Sequence, residues 1–96
     1  MDSKLINKAI LTLFKEVFQI ESPTDEMVKR LCSVLSELSP REERIIRLRY
    51  GIDDNIPRTL EEVANEFGVT REDIRQVEVK AIKKLRHPNR IKKIVG

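Results

Sequence analysis

The chain has 96 residues, 36% of them charged and 40% hydrophobic, with a formal net charge of +3, a length and balance that fit one globular domain with a modest core. Aromatic residues make up only 4% and Trp is absent, which argues against the exposed ring platforms that bind single-stranded nucleic acid. No apolar run spans a bilayer, Asp2, Lys4 and Lys8 interrupt the N-terminus as a signal peptide, and the lone Cys32 leaves no internal disulfide or multi-cysteine metal site, so the expected setting is a reducing cytoplasm without a membrane partner.

No period-two alternation of Val, Ile and Thr occurs, and the expected fold is all-α, a compact helical bundle. The first helix is expected from about Ser3 to Gln19, where Leu5/Ile6, Ala9/Ile10, Leu13/Phe14 and Val17/Phe18 recur every fourth residue. That doubled stripe is wide for a surface helix. It reads either as packing that enlarges a small core or as an interface for a second copy or another protein. Residues 1–20 are therefore set apart as an N-terminal amphipathic helix, and 21–96 as the domain proper. Four later helix starts carry a hydroxyl residue with an acid three positions on, at Ser22/Asp25, Ser39/Glu42, Thr59/Glu62 and Thr70/Asp73. This is the capping-box spacing, and two of the four add Pro at the first helical position. They predict helices over Pro23–Glu37, Pro40–Tyr50, Leu60–Phe67 and Arg71–Arg86. Cys32 is expected on the buried side of the second helix beside Val28, Leu31 and Leu35. Gly51 to Arg58 is one long loop. His87 is expected to cap carbonyls at the end of the fifth helix, and Arg90 to Gly96 to form a basic tail with room for a short helical turn.

The fourth and fifth predicted helices, with Gly68 between them, fit a helix-turn-helix. Val63, Ala64 and Phe67 share a face, and Ala64 is small where two helices cross. Gly68 can take a positive φ without a Cβ penalty, and Val69, Ile74 and Val77 close the small core between the helices. At 3.6 residues per turn, Ile74, Val77, Ala81 and Leu85 fall on one side of the fifth helix, and Arg71, Glu72, Arg75, Gln76 and Lys83 on the other. Arg forks onto guanine, Gln pairs with adenine, and Glu accepts from the cytosine amino group. The second side is either a plain solvated face or a base-reading one. The turn ahead of it, which directs the N-terminal half of such a helix into a groove, favours reading. Lys83, beside that face, is a candidate phosphate contact. Charge points the same way: residues 68–96 carry nine Lys/Arg against three Asp/Glu, and residues 1–67 ten against thirteen. A basic half behind an acidic one is the footprint of a polyanion-binding surface or of a solvated basic tail.

The stretch from Leu38 to Asp53 (LSPREERIIRLRYGID), together with Thr59–Ala64 (TLEEVA), Val69–Glu78 (VTREDIRQVE) and Lys84–Pro88 (KLRHP), resembles region 4 of sigma-70 family RNA polymerase sigma factors. The resemblance covers roughly Pro23 to Arg90 and includes the length of the Gly51–Arg58 loop. It implies binding to double-stranded promoter DNA at an upstream (−35), TTGACA-like hexamer. It further implies that Arg71, Glu72, Arg75 and Gln76 face the bases and that Arg41, Arg49, Thr59 and Leu60 face phosphates, which set register without carrying sequence information. Lys80, Lys84 and Arg86 match positions that meet transcription activators in some relatives, and the family domain docks on the β-flap of the RNA polymerase core. Asp73 departs from the family by standing where a basic residue is common; as the third residue of its helix it completes a capping box with Thr70. Val79 stands where Ala is usual, on the groove side, with room either to crowd the DNA backbone or to meet a thymine methyl. The regions that melt the −10 element have no counterpart here, so the chain reads as an excised domain or as a small free-standing regulator.

No nucleophile paired with a base, no phosphate-cradling glycine loop and no metal cluster is legible, so neither an enzyme nor a cofactor, metal or small-molecule substrate is expected. Two other readings stand beside promoter binding. One is a co-regulator that docks on RNA polymerase without reading DNA, against which the retained Arg71, Arg75 and Gln76 count. The other is a dimeric helix-turn-helix regulator in which the first helix forms the dimer contact.

Overall fold

The computed structural model describes residues 7–96; the expected helix start at Ser3 and the Leu5/Ile6 pair lie outside them. Among the described residues every regular element is helical: α1 (Lys8–Leu13), continued by a π-helical segment (Phe14–Phe18), then α2 (Asp25–Leu35), α3 (Pro40–Tyr50), α4 (Leu60–Phe67), α5 (Arg71–Leu85) and α6 (Pro88–Val95).

Local chemistry sets most of these boundaries. The Asn7 side chain caps α1 by accepting from the Ile10 N–H at 2.9 Å. The wider π-helical turns end at Gln19, which is left-handed at φ 59°. Three capping boxes close as the spacing predicts, with Ser39/Glu42, Thr59/Glu62 and Thr70/Asp73 each exchanging side-chain and backbone hydrogen bonds. Two expectations at α2 are corrected. Its cap is Thr24, whose hydroxyl accepts from Met27 N–H at 3.1 Å; Pro23 is buried ahead of the helix instead of opening it. Cys32 is exposed. The buried stripe of α2 runs through Val28, Leu31, Val34 and Leu35, so the helix is rotated to turn Val34 inward and Cys32 outward.

The C-terminal expectations are corrected as well. Residues 88–95 form a full helix whose Ile94 is completely buried. His87 caps α6 at its start, its Nδ1 accepting the Asn89 N–H at 3.2 Å, so it serves an N–H group and not carbonyls. Arg30 of α2 donates to the Ile94 carbonyl at 3.0 Å, and Glu37 pairs with both Arg90 and Lys93. These contacts fasten α6 along α2.

The interior divides into two clusters. The larger joins Ile10, Leu13, Phe14 and Val17 to Leu31 and Leu35 of α2, Ile46 of α3, Ala81 and Leu85 of α5 and Ile94 of α6. The smaller joins Ile45 of α3, Val63 and Ala64 of α4 and Ile74 of α5, with Leu48, Leu60, Phe67, Val69 and Val77 packed around it. Helices α3 and α5 therefore straddle both. Neighbouring Ile45 and Ile46 point into different clusters, and α5 spends its first half in one and its second half in the other.

Candidate nucleic-acid interface

The smaller cluster aims α5. Gly68 ends α4 in the left-handed conformation at φ 68°, and Val69 N–H returns to the Ala64 carbonyl at 3.0 Å, the closing bond of a helix C-cap. Val63, Ala64 and Ile74 are buried against Ile45 of α3. Two helices, α3 and α4, thus hold the N-terminal half of α5, and its opposite side is left open to solvent.

On that open side Arg71, Glu72, Arg75 and Gln76 are all exposed. They are also knit together. Arg75 donates from Nε to Glu72 Oε1 at 2.9 Å and from Nη2 to Oε2 at 2.5 Å, and Gln76 Nε2 reaches the same carboxylate at 3.5 Å. The Arg75 hydrogen bond holds the Glu72 carboxyl below its ordinary range against a smaller desolvation effect, and the same bond raises Arg75. Both groups stay charged at neutral pH, and the fork limits the guanidinium to few orientations. Asp73, three residues into the helix, accepts from Thr70 N–H at 3.2 Å, so its acid serves the cap.

Beside these four lie other predicted residues. Arg41, exposed at the start of α3, shares a shallow depression with Asp73, Gln76 and Lys80. Lys83 lies further along α5, in a depression shared with Arg75, Gln76 and Val79. Thr59 caps α4, its hydroxyl accepting from Glu62 N–H at 3.1 Å, and Leu60 opens the helix half-buried against the smaller cluster.

Arg49, Lys84 and Arg86 are engaged elsewhere. The Arg49 guanidinium pairs with Glu78 and donates to the Arg58 carbonyl at 2.6 Å. Lys84 donates to Glu42 at 2.9 Å. Arg86 donates to the Val17 carbonyl at 2.9 Å, tying α5 to the π-helical segment. Of the three candidate activator contacts, Lys80 alone has no ion-pair or hydrogen-bond partner among the described residues. Sequence reasoning missed Glu42 and Glu78 as partners. Glu42 is 95% buried by area, with a relative exposure of 5%; burial opposes its ionisation, but the Lys84 and Ser39 hydrogen bonds outweigh that and hold its carboxyl below the ordinary value. Between α1 and the end of α3 lies a cleft of about 400 Å³ lined in part by Glu16, Arg49, Tyr50 and Glu78. Burial, reinforced by the charges of Glu16 and Glu78, pushes the Tyr50 hydroxyl up to about 12.

Residues 34–87 match the family described as sigma-70, region 4. The chain is 59% identical over 66 residues to the RNA polymerase sigma factor SigA of Clostridium acetobutylicum, covering 69% of this chain and 18% of that protein. It is 57% identical over 75 residues to SigA1 of Synechococcus elongatus, covering 73% of this chain and 19% of the relative. With SigA of Microcystis aeruginosa the identity is 56% over 75 residues, covering 73% and 18%. The chain thus spans less than a fifth of these relatives' length. The match contains α3, α4, α5 and both sides of the left-handed turn at Gly68, which are the elements that build the exposed face described above. The chain belongs to the sigma-70 region 4 family.

Proposed function

We propose that this domain binds double-stranded promoter DNA by laying the N-terminal half of α5 in the major groove, where it reads a −35 element, and that it docks on the β-flap of RNA polymerase. The observation that carries the reading is the exposed set Arg71, Glu72, Arg75 and Gln76 directly after the turn at Gly68. These side chains match the hydrogen-bonding patterns of guanine, cytosine and adenine edges, and a fork of two hydrogen bonds joins Glu72 and Arg75 among them. Arg41, Lys83 and the first turn of α4, with Thr59 and Leu60, serve the phosphates on either side. Arg49 contributes by holding α3 to α5, and Lys80 is the residue free to meet an activator.

One helix-turn-helix spans a single half-site, so affinity for DNA alone is modest. Docking on polymerase raises it by making the DNA contact effectively intramolecular. Selection of bound duplexes from a random pool tests the reading. The expected result is a single non-palindromic hexamer, and Arg75→Ala relaxes the preference at one base pair at a cost of about 1–3 kcal/mol. Equal losses on the selected and random duplexes would remove the base-reading role, and a palindromic site with a dimeric mass would favour a dimeric regulator.

A further inference from the structure

The large hydrophobic residues exposed among the described residues are Leu11, Ile56, Val79 and Val95. Val79 alone of these lies on α5, and it lies on the proposed reading face. It follows Gln76 by three positions and Arg75 by four, so the three share one side of the helix, and with Lys80 and Lys83 they line one shallow depression. The fully buried Ile74, Ala81 and Leu85 mark the opposite side. The Val79 side chain is 48% exposed, and neither of the two hydrophobic clusters includes it. Val is also a poorer helix former than Ala at an exposed interior position. Neither packing nor propensity accounts for an isopropyl group among Arg, Gln and Lys.

We infer that Val79 reads a thymine C5-methyl group, an inference that rests on the promoter-binding role proposed above. In the major groove that methyl is the apolar group a standard base edge presents, and it is met by apolar side chains. The spacing fits. Val79 is about 4.5 Å along the helix axis from Gln76 and about 6 Å from Arg75. That is one to two base-pair steps of about 3.4 Å. A helix lying along the groove would place that thymine within about two base pairs of those read by Arg75 and Gln76. Lys83, one helical turn beyond Val79, is placed to serve the phosphate beside that pair.

The test uses the full chain and its selected duplex, with each thymine replaced in turn by uracil, which removes only the C5-methyl. The wild type should lose affinity about fourfold at one thymine, the value of one buried methyl group. Val79→Ala, which truncates an exposed side chain and leaves the core untouched, should bind the thymine and uracil duplexes equally at that position. A methyl effect that survives Val79→Ala, or a wild type indifferent to every uracil, overturns the contact while leaving promoter reading intact. A chain that selects no preferred duplex overturns both.

Discussion

Gly51 and Gly68 share a φ of 68° but need it for different reasons. A Cβ at Gly68 would meet nothing within 4 Å, whereas one at Gly51 would lie 2.5 Å from the Ile56 carbonyl carbon and 2.6 Å from the Pro57 nitrogen. Gly68→Ala therefore costs only the left-handed backbone, about 1–2 kcal/mol, and Gly51→Ala adds a collision with the backbone of Ile56 and Pro57, which must shift. Urea denaturation of the two variants should rank Gly51→Ala as clearly the more damaging; the reverse order would show that the loop after α3 yields. Glu42 supplies a second contrast. Its carboxyl is held below the ordinary value of 4.5. A depressed carboxyl contributes stability that is fully present above its unfolded value and lost as pH falls through its folded one. Lys84→Met should lower stability by about 1 kcal/mol near neutral pH, a figure kept small because the lysine is partly exposed. The difference in Tm between wild type and variant should then close as the pH falls through the lowered value of Glu42 and its carboxyl protonates in the fold. A difference that does not shrink as the pH falls would mean that Lys84 does not act through the Glu42 carboxylate.

Elements bounded by short-range signals were legible from the sequence. Helices α3 and α4 have the predicted limits, and α5 starts where predicted and ends one residue early, because a capping box needs only residues three positions apart. The start of α2 was misplaced by two residues, since the spacing of Ser22 and Asp25 pointed to Ser22 while the Thr24 hydroxyl makes the cap. The outward turn of Cys32 and the helical state of residues 88–95 depend on α2 and α6 packing against each other, which no local pattern encodes. In the candidate site the exposed face of α5 was readable from helical periodicity. The engagement of Arg49, Lys84 and Arg86 was not, since their partners lie 29, 42 and 69 residues away. The wide stripe of the first helix left packing and interface both open. Its Leu13, Phe14 and Val17 have relative exposures of 0%, 0% and 1%. Removing side chains of this kind costs about 2–5 kcal/mol each, against about 5–15 kcal/mol for a whole domain. Deleting residues 1–19 should therefore abolish cooperative thermal melting followed by circular dichroism. A truncated chain that melts as the full one does would instead mark the helix as an appendage available for partner docking.

Across the whole molecule, the net charge of +3 understates the local field. Arg41, Arg71, Lys80 and Lys83 have no ion-pair partner among the described residues, and they border or lie on the exposed side of α5. Binding to duplex should weaken linearly with the logarithm of salt concentration, with a slope of about −0.9 for each phosphate neutralised. Lys83→Ala should reduce that slope by about one and weaken selected and random duplexes alike; a loss confined to the selected duplex would make Lys83 a base contact. The straddling of two clusters by α5 has a separate consequence for motion. The small cluster rests on four buried residues, Ile45, Val63, Ala64 and Ile74, so the turn and the N-terminal half of α5 should open locally while the larger cluster stays folded. Amide hydrogens near Ile74 should then exchange with solvent faster than those near Ala81 and Leu85, whose release requires the larger cluster to come apart. Duplex binding should slow exchange mainly in the N-terminal half of α5, which is then the more mobile half of the helix only in the free domain.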